Sequence, residues 1–191
     1  MSAAIRQFSK HGLHGVSVRT IANEADANLS LISQYFGGKQ QLYLRCIESI
    51  YAALQNTIPE FTKRLDEEPR LAIHYAVNAA IEMGQRNRDA LLLTMRHFIE
   101  HGQMEQARRD KVLIPTIAIV THHLEPYSDL DQDELRLAVL SAIMLVGRLV
   151  ALSGDDLGAI LTASTDTKGF KHDLTTMLIR LLALKETSTN H

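Results

Sequence analysis

The chain has a single cysteine, Cys46, in 191 residues, which rules out an internal disulfide framework. Cys46 stands with Leu42, Ile47 and Ile50 at helical spacing and reads as a small buried hydrophobe in a reducing, cytoplasmic setting. Charge of one sign is also missing. Twenty Lys+Arg against 22 Asp+Glu leave a formal net charge of -2, which excludes a globally basic nucleic-acid binder and confines any such binding to a local patch. The longest charge-free run of the C-terminal half, residues 137–147, is too short to cross about 30 Å of hydrocarbon and is followed by Arg148, so no membrane span is expected. No signal peptide is expected either, because Arg6, Lys10, Gly12 and Gly15 occupy the places an apolar leader core would need. Internal repeats, low-complexity tracts and alternating β-branched runs bounded by turns are all absent.

What is present is apolar content of 46%, enough to bury a core, recurring at helical spacing almost throughout. The expected fold is all-α in two parts: a three-helix head over residues 1–47 and a helical bundle over residues 48–191. A first helix carries Ala4, Ile5 and Phe8 on its apolar face and ends near His11, where two glycines follow. Only three residues precede Ala4, so this helix looks cropped at its start. Ser17 can cap a second helix over residues 18–25, with Val18, Ile21, Ala22 and Ala25 inward. A short third helix begins near Asn28. A fourth covers residues 39–57 and is ended by Pro59. Longer helices are expected over residues 70–87, 89–101, 104–124 with a kink at Pro115, 133–152 and 170–185. Residues 1–50 hold five Lys/Arg and three acids, +2, which leaves -4 for the rest.

The stretch NLSLISQYFGGKQQLY, residues 28–43, raises a specific question, because its short helix is rich in small polar side chains and bounded by breaks. Two short helices joined by a tight turn, the second presenting small polar groups, can set a recognition helix in the major groove of DNA. At about 100° per residue, Ile32 and Phe36 share a face with Asn28, while Ser30, Ser33 and Gln34 spread over the opposite face with Leu31 and Tyr35 on its flank. Serine can meet a base edge or phosphate, glutamine can pair with adenine, and leucine can touch a thymine methyl. Gly37 and Gly38 suit a helix end that needs a left-handed residue. Lys39 then opens the next helix, badly placed for the helix dipole but well placed for a phosphate.

Residues 3–47, AAIRQFSKHGLHGVSVRTIANEADANLSLISQYFGGKQQLYLRCI, resemble the DNA-binding head of the TetR family of bacterial transcriptional regulators. The likeness rests on Phe8, the glycine after the first helix, the run Ser17-Val18-Arg19-Thr20-Ile21-Ala22, Ala25 and Ala27, and Ile32, Tyr35, Phe36, Lys39 and Leu42. It implies a homodimeric repressor, released from a palindromic double-stranded operator by a small-molecule effector, with no cofactor and no enzymatic activity. It further implies DNA contacts from Ser17, Arg19 and Thr20, from Asn28, Leu29, Ser30, Leu31, Ser33, Gln34 and Tyr35, and from Lys39 on a phosphate. The chain departs from the family pattern at Ser33, where tyrosine is usual and a phosphate contact is thereby weakened, and at Asp26, where glycine is usual. The family's extra turn before the first helix is also missing.

The body carries three further features. Residues 137–147, LAVLSAIMLVG, are apolar on every side and need cover on all faces. With the last helix, where Leu174, Met177, Leu178, Leu181 and Leu182 form a continuous stripe, they make a two-helix unit suited to pairing with its twin in a four-helix bundle. The expected dimer contacts are Val139, Ile143 and Val146 on one helix and Leu174, Leu178 and Leu181 on the other; deep burial within one chain is the alternative. Polar groups amid apolar positions, His74, Tyr75, Arg96, His97 and Thr116, are expected to line an effector cavity. The run HFIEH has the H-x-x-E-H spacing of a zinc peptidase, so His97, Glu100 and His101 give a rival reading as a zinc-dependent hydrolase or metal sensor. Met95, Met104 and Met144 are expected to fill core gaps.

Overall fold

The computed structural model describes residues 1–102, 106, 109–152, 156, 158–159 and 167–185, and Met104 lies outside them. Three short helices, α1 (Ser2–His11), α2 (Val18–Glu24) and α3 (Leu29–Phe36), close around Phe8 together with the longer α4 (Lys39–Gln55). Phe8 is wholly buried and meets Tyr43 edge-on, with ring centroids 5.1 Å apart at 83°. Ala4, Val16, Ile21, Ala22, Ile32, Leu42, Cys46 and Ile47 complete this cluster. Burial pushes the Cys46 thiol up to about 12, so it is an inert packing group. One member comes from far along the chain: Leu93 of α7 (Arg88–His101) is fully buried among the head's side chains. Packing therefore crosses the boundary expected at residue 47.

Local chemistry accounts for the short elements. The Ser17 hydroxyl caps α2, accepting from the Thr20 N–H at 3.0 Å. The helix stops at Glu24, and Asp26 turns left-handed at φ 47°, a conformation Asp tolerates better than most residues and glycine better still. That early stop leaves Ala25 exposed instead of buried; Val16, just ahead of the cap, is buried in its place. Glu24 ties α2 back to α1 through Gln7 and through Arg6 at 2.8 Å, and these partners hold its carboxyl below the usual range.

The body adds α5 (Ile58–Glu67), α6 (Pro69–Arg86), α8 (Ile114–Leu124), α9 (Gln132–Ala151) and α10 (Thr167–Leu181). Helix α5 was not expected. Pro59 stands in its first turn, where a missing N–H costs nothing, so the residue read as a stop is a start. Its Leu65 is fully buried, and its Arg64 lies over the Tyr75 ring at 4.4 Å. Pro115 behaves likewise: it sits in the first turn of α8, after a π-helical turn at Arg109–Leu113, and does not kink the middle of a helix. An Asp131/Glu134 capping box starts α9, with Asp131 accepting from the Glu134 N–H at 2.9 Å. At Gly84 α6 and α9 approach so closely that a Cβ would lie 1.7 Å from Val150 Cγ1. The last helix ends at Leu181, short of Lys185, because Ala183 turns left-handed at φ 45° and Leu184 pairs with Ser128 in an isolated antiparallel bridge. Among the described residues there is no strand and no helix long and apolar enough to cross a membrane.

The apolar face of the last two helices is phased differently from expectation. Val139, Leu174 and Leu178 are buried in the core of one chain with Leu65, Val77, Leu124 and Leu135, so they have no surface left for a partner. Ile143 and Val146 pack half-buried against that core. The exposed apolar positions are Leu137 at 64%, Met144 at 48%, Met177 and Leu181. Met144 is thus a surface residue and not a core filler. Leu137, Ser141 and Leu181 share a shallow hollow of about 280 Å³ along this seam.

Candidate nucleic-acid interface

The interface is built from the caps upward. Asn28 caps α3: its Oδ1 accepts from the Ser30 N–H at 2.9 Å and from the Ser30 hydroxyl at 2.7 Å. Gly37 closes the helix in the left-handed conformation at φ 75°, donating its N–H to the Ser33 carbonyl at 2.9 Å, and Gly38 follows at φ 109°. Two consecutive positive φ values let the chain reverse and start α4 at Lys39 within two residues. One face of α3 is anchored by buried Ile32 and half-buried Phe36. Leu29, Ser30, Leu31, Ser33, Gln34 and Tyr35 are exposed, Tyr35 at 84%, its ring edge-on to Phe36 at 5.0 Å.

Four of the expected contact residues, Ser17, Thr20, Asn28 and Ser30, are partly committed to the scaffold. The Asn28 oxygen is taken by its cap, and the Thr20 hydroxyl lies 2.8 Å from that of Ser17. Arg19 is exposed at the start of α2 and Lys39 is half-buried at the start of α4; neither has an ion pair among the described residues. Arg6 and Arg45, by contrast, are paired with Glu24 and Glu48. Helices α2 and α3 therefore present a surface with an unpaired cation at one end, exposed polar and apolar side chains in the middle, and a second cation behind the glycine turn. This arrangement can meet phosphates at its edges and base edges at its centre.

The five residues expected to line an effector cavity lie in different parts of the molecule. Arg96 reaches the head: its Nη2 donates to the Lys10 carbonyl at 3.2 Å, capping the last turn of α1, and its Nη1 meets Glu100 at 3.2 Å. His97 packs on Tyr43 at 5.7 Å between ring centroids. Both belong to the joint between head and body. Tyr75 lies under Arg64 on the α5 side, and His74 and Thr116 are half-buried on α6 and α8. The metal reading fares no better. Glu100 is paired with Arg96, His101 Nδ1 lies 2.9 Å from the His97 carbonyl, and among the described residues no three His, Cys, Asp or Glu side chains gather as a metal site. What sequence reasoning missed is the joint through α7 and the exposed seam residues Leu137 and Met144. The spacing of 137, 141 and 144 was the available signal.

Residues 1–46 match the family described as bacterial regulatory proteins, tetR family. The head of the chain is that of the TetR family. Among curated relatives, it is 29% identical over 110 residues to the HTH-type transcriptional regulator BetI of Vibrio vulnificus, covering 56% of this chain and 54% of that protein. It is 25% identical over 166 residues to the HTH-type transcriptional dual regulator CecR of Shigella flexneri, covering 79% of this chain and 72% of that one. The BetI match spans about half the length of that relative. Among solved structures, a TetR-like transcriptional regulator from Rhodococcus superposes with a TM-score of 0.61 at 21% identity, over 96% of this chain and 93% of that one. A TetR-family regulator from Mesorhizobium loti does so with a TM-score of 0.65 at 15% identity, over 95% and 92%. At these identities the structural likeness concerns the fold.

Proposed function

We propose that this chain is a TetR-family DNA-binding transcriptional regulator that acts as a homodimer on a palindromic operator, most simply as a repressor released by a small-molecule effector. The observation that carries the reading is the exposed face of α3, held between the Asn28 cap and the Gly37–Gly38 turn, with Arg19 and Lys39, free of ion pairs among the described residues, at its borders. Binding, not catalysis, is the activity. Leu29, Ser30, Leu31, Ser33, Gln34 and Tyr35 face the major groove, while Ser17, Arg19, Thr20 and Lys39 meet the backbone. A palindrome needs two heads at fixed spacing, and the seam of Leu137, Met144, Met177 and Leu181 is the surface offered for pairing with a second copy.

The joint at α7 supports the regulatory half of the reading. Leu93, Arg96 and His97 fasten α7 to α1 and α4, so a ligand that moves α7 in the body repositions the head. The effector must favour the non-binding state; a tenfold loss of operator affinity needs about 1.4 kcal/mol of such preference. The relatives' names bear on this: a Pseudomonas putida relative, 35% identical over 78 residues, is the HTH-type transcriptional repressor NicS. The test is selection of bound duplexes from a random DNA pool with the full chain. An enriched inverted repeat is the expected result, and no enrichment over bulk DNA would overturn the reading. Small molecules that raise the melting temperature are then expected to release that repeat.

A further inference from the structure

We propose that Leu31 and Gln34 read A·T base pairs, Leu31 through the thymine methyl and Gln34 through the adenine edge, so that the half-site is specified by thymines and adenines and not by guanine. This rests on α3 being the recognition helix. The eight residues of α3 include no Lys or Arg, the side chains that read the two acceptors of guanine. Ser30 is constrained as well, because its hydroxyl hydrogen is directed at Asn28 Oδ1, 2.7 Å away. At 100° per residue, Gln34 lies about 160° from both Ile32 and Phe36, at the centre of the free face, and Leu31 lies about 60° from Gln34.

The structure places these side chains around one feature. Leu31, Gln34 and Tyr35 border a shallow hollow of about 480 Å³ that Ile32 and Phe36 also line. Leu31 is 59% exposed, an apolar group beside an amide. In the major groove an A·T pair displays an acceptor and a donor on adenine, then an acceptor and a methyl on thymine. A primary amide matches the adenine edge, and a leucine about one helical turn before it matches the methyl. A G·C pair has no methyl, so Leu31 would face a polar edge and lose its contact.

The experiment uses the full chain and the inverted repeat selected from random DNA. Each thymine of the half-site is replaced in turn by deoxyuridine, which lacks only the methyl. One thymine per half-site is expected to show a loss of about fourfold per methyl, the others none. Leu31→Ala, at an exposed helical position, is expected to keep the melting temperature and to bind the thymine and uracil duplexes alike. Gln34→Ala is expected to lose about tenfold and to accept other bases at the neighbouring adenine. Tolerance of uracil at every position, a uracil loss that persists unchanged in Leu31→Ala, or a repeat specified by guanine would overturn this inference while leaving the recognition-helix reading intact. Failure to enrich any repeat would overturn both.

Discussion

The head and the body bury similar apolar side chains, yet they differ in how far nearby residues dictate their shape. In the head, the start of α2 and both ends of α3 have their causes within four residues: Ser17 holds the Thr20 N–H, Asn28 holds that of Ser30, and Gly37 turns left-handed. In the body, the arrangement is set by contacts between distant residues. Leu65, Val77, Leu124, Val139 and Leu178, from five helices, meet in one core. The head is also the less independent of the two, since its core is completed by Leu93 and its first helix is capped by Arg96, both from α7. A surface held by local caps that leans on a body helix is suited to being moved by that helix.

The largest expected effect tests this dependence. Leu93→Ala removes a fully buried side chain from the head's core, and about 2–5 kcal/mol of stability should go with it. Thermal melting of the full chain should show one lowered transition. An unchanged melting temperature would mean that the head packs without α7.

The second effect separates the two faces of α9. A charge at buried Val139 would sit unpaired in the core, and insoluble or unfolded protein is expected. Leu137→Glu, at a position 64% exposed, should leave a folded chain that sediments as a monomer, with operator affinity reduced about tenfold or more through loss of the paired head. A dimer that survives Leu137→Glu would move the interface elsewhere.

Smaller effects sharpen the head alone. Arg19→Ala or Lys39→Ala should weaken binding to every DNA sequence and lower the slope of log affinity against log salt by up to about one unit. A changed sequence preference in either variant would place that side chain on a base. The smallest effect belongs to Glu24. Its carboxyl is held below the usual range by Gln7 and then Arg6, so its contribution is present above the unfolded carboxylate range and is lost as pH falls through the lower folded value. Glu24→Gln should be slightly less stable than the parent at neutral pH, and the difference should close in acid. A gap in melting temperature that is unchanged at low pH would contradict the pairing.

Legibility in the sequence follows the same division. The all-α fold, the capped α2, the glycine-terminated α3 and the buried Cys46 were readable because caps, glycines and short apolar stripes act locally. Helix α5 is not legible because Pro59 reads as a stop, although proline is equally at home in a first turn. The seam was mis-phased because LAVLSAIMLVG is apolar all round: with no polar side to fix the angle, Val139 and Leu137 look equivalent, and only packing against α6 and α8 distinguishes them. The role of Arg96 is not legible because its partner, the Lys10 carbonyl, is 86 residues away.

The most direct test of a coupled pair of heads is to measure the affinity of the full chain for the selected inverted repeat and for the same duplex with one half-site scrambled. If two chains joined along α9 and α10 read the repeat together, scrambling one half should cost the parent protein at least about tenfold, and Leu137→Glu should bind both duplexes equally weakly. Equal, tight binding of the parent to the intact and the half-scrambled duplex would contradict the paired-head mechanism.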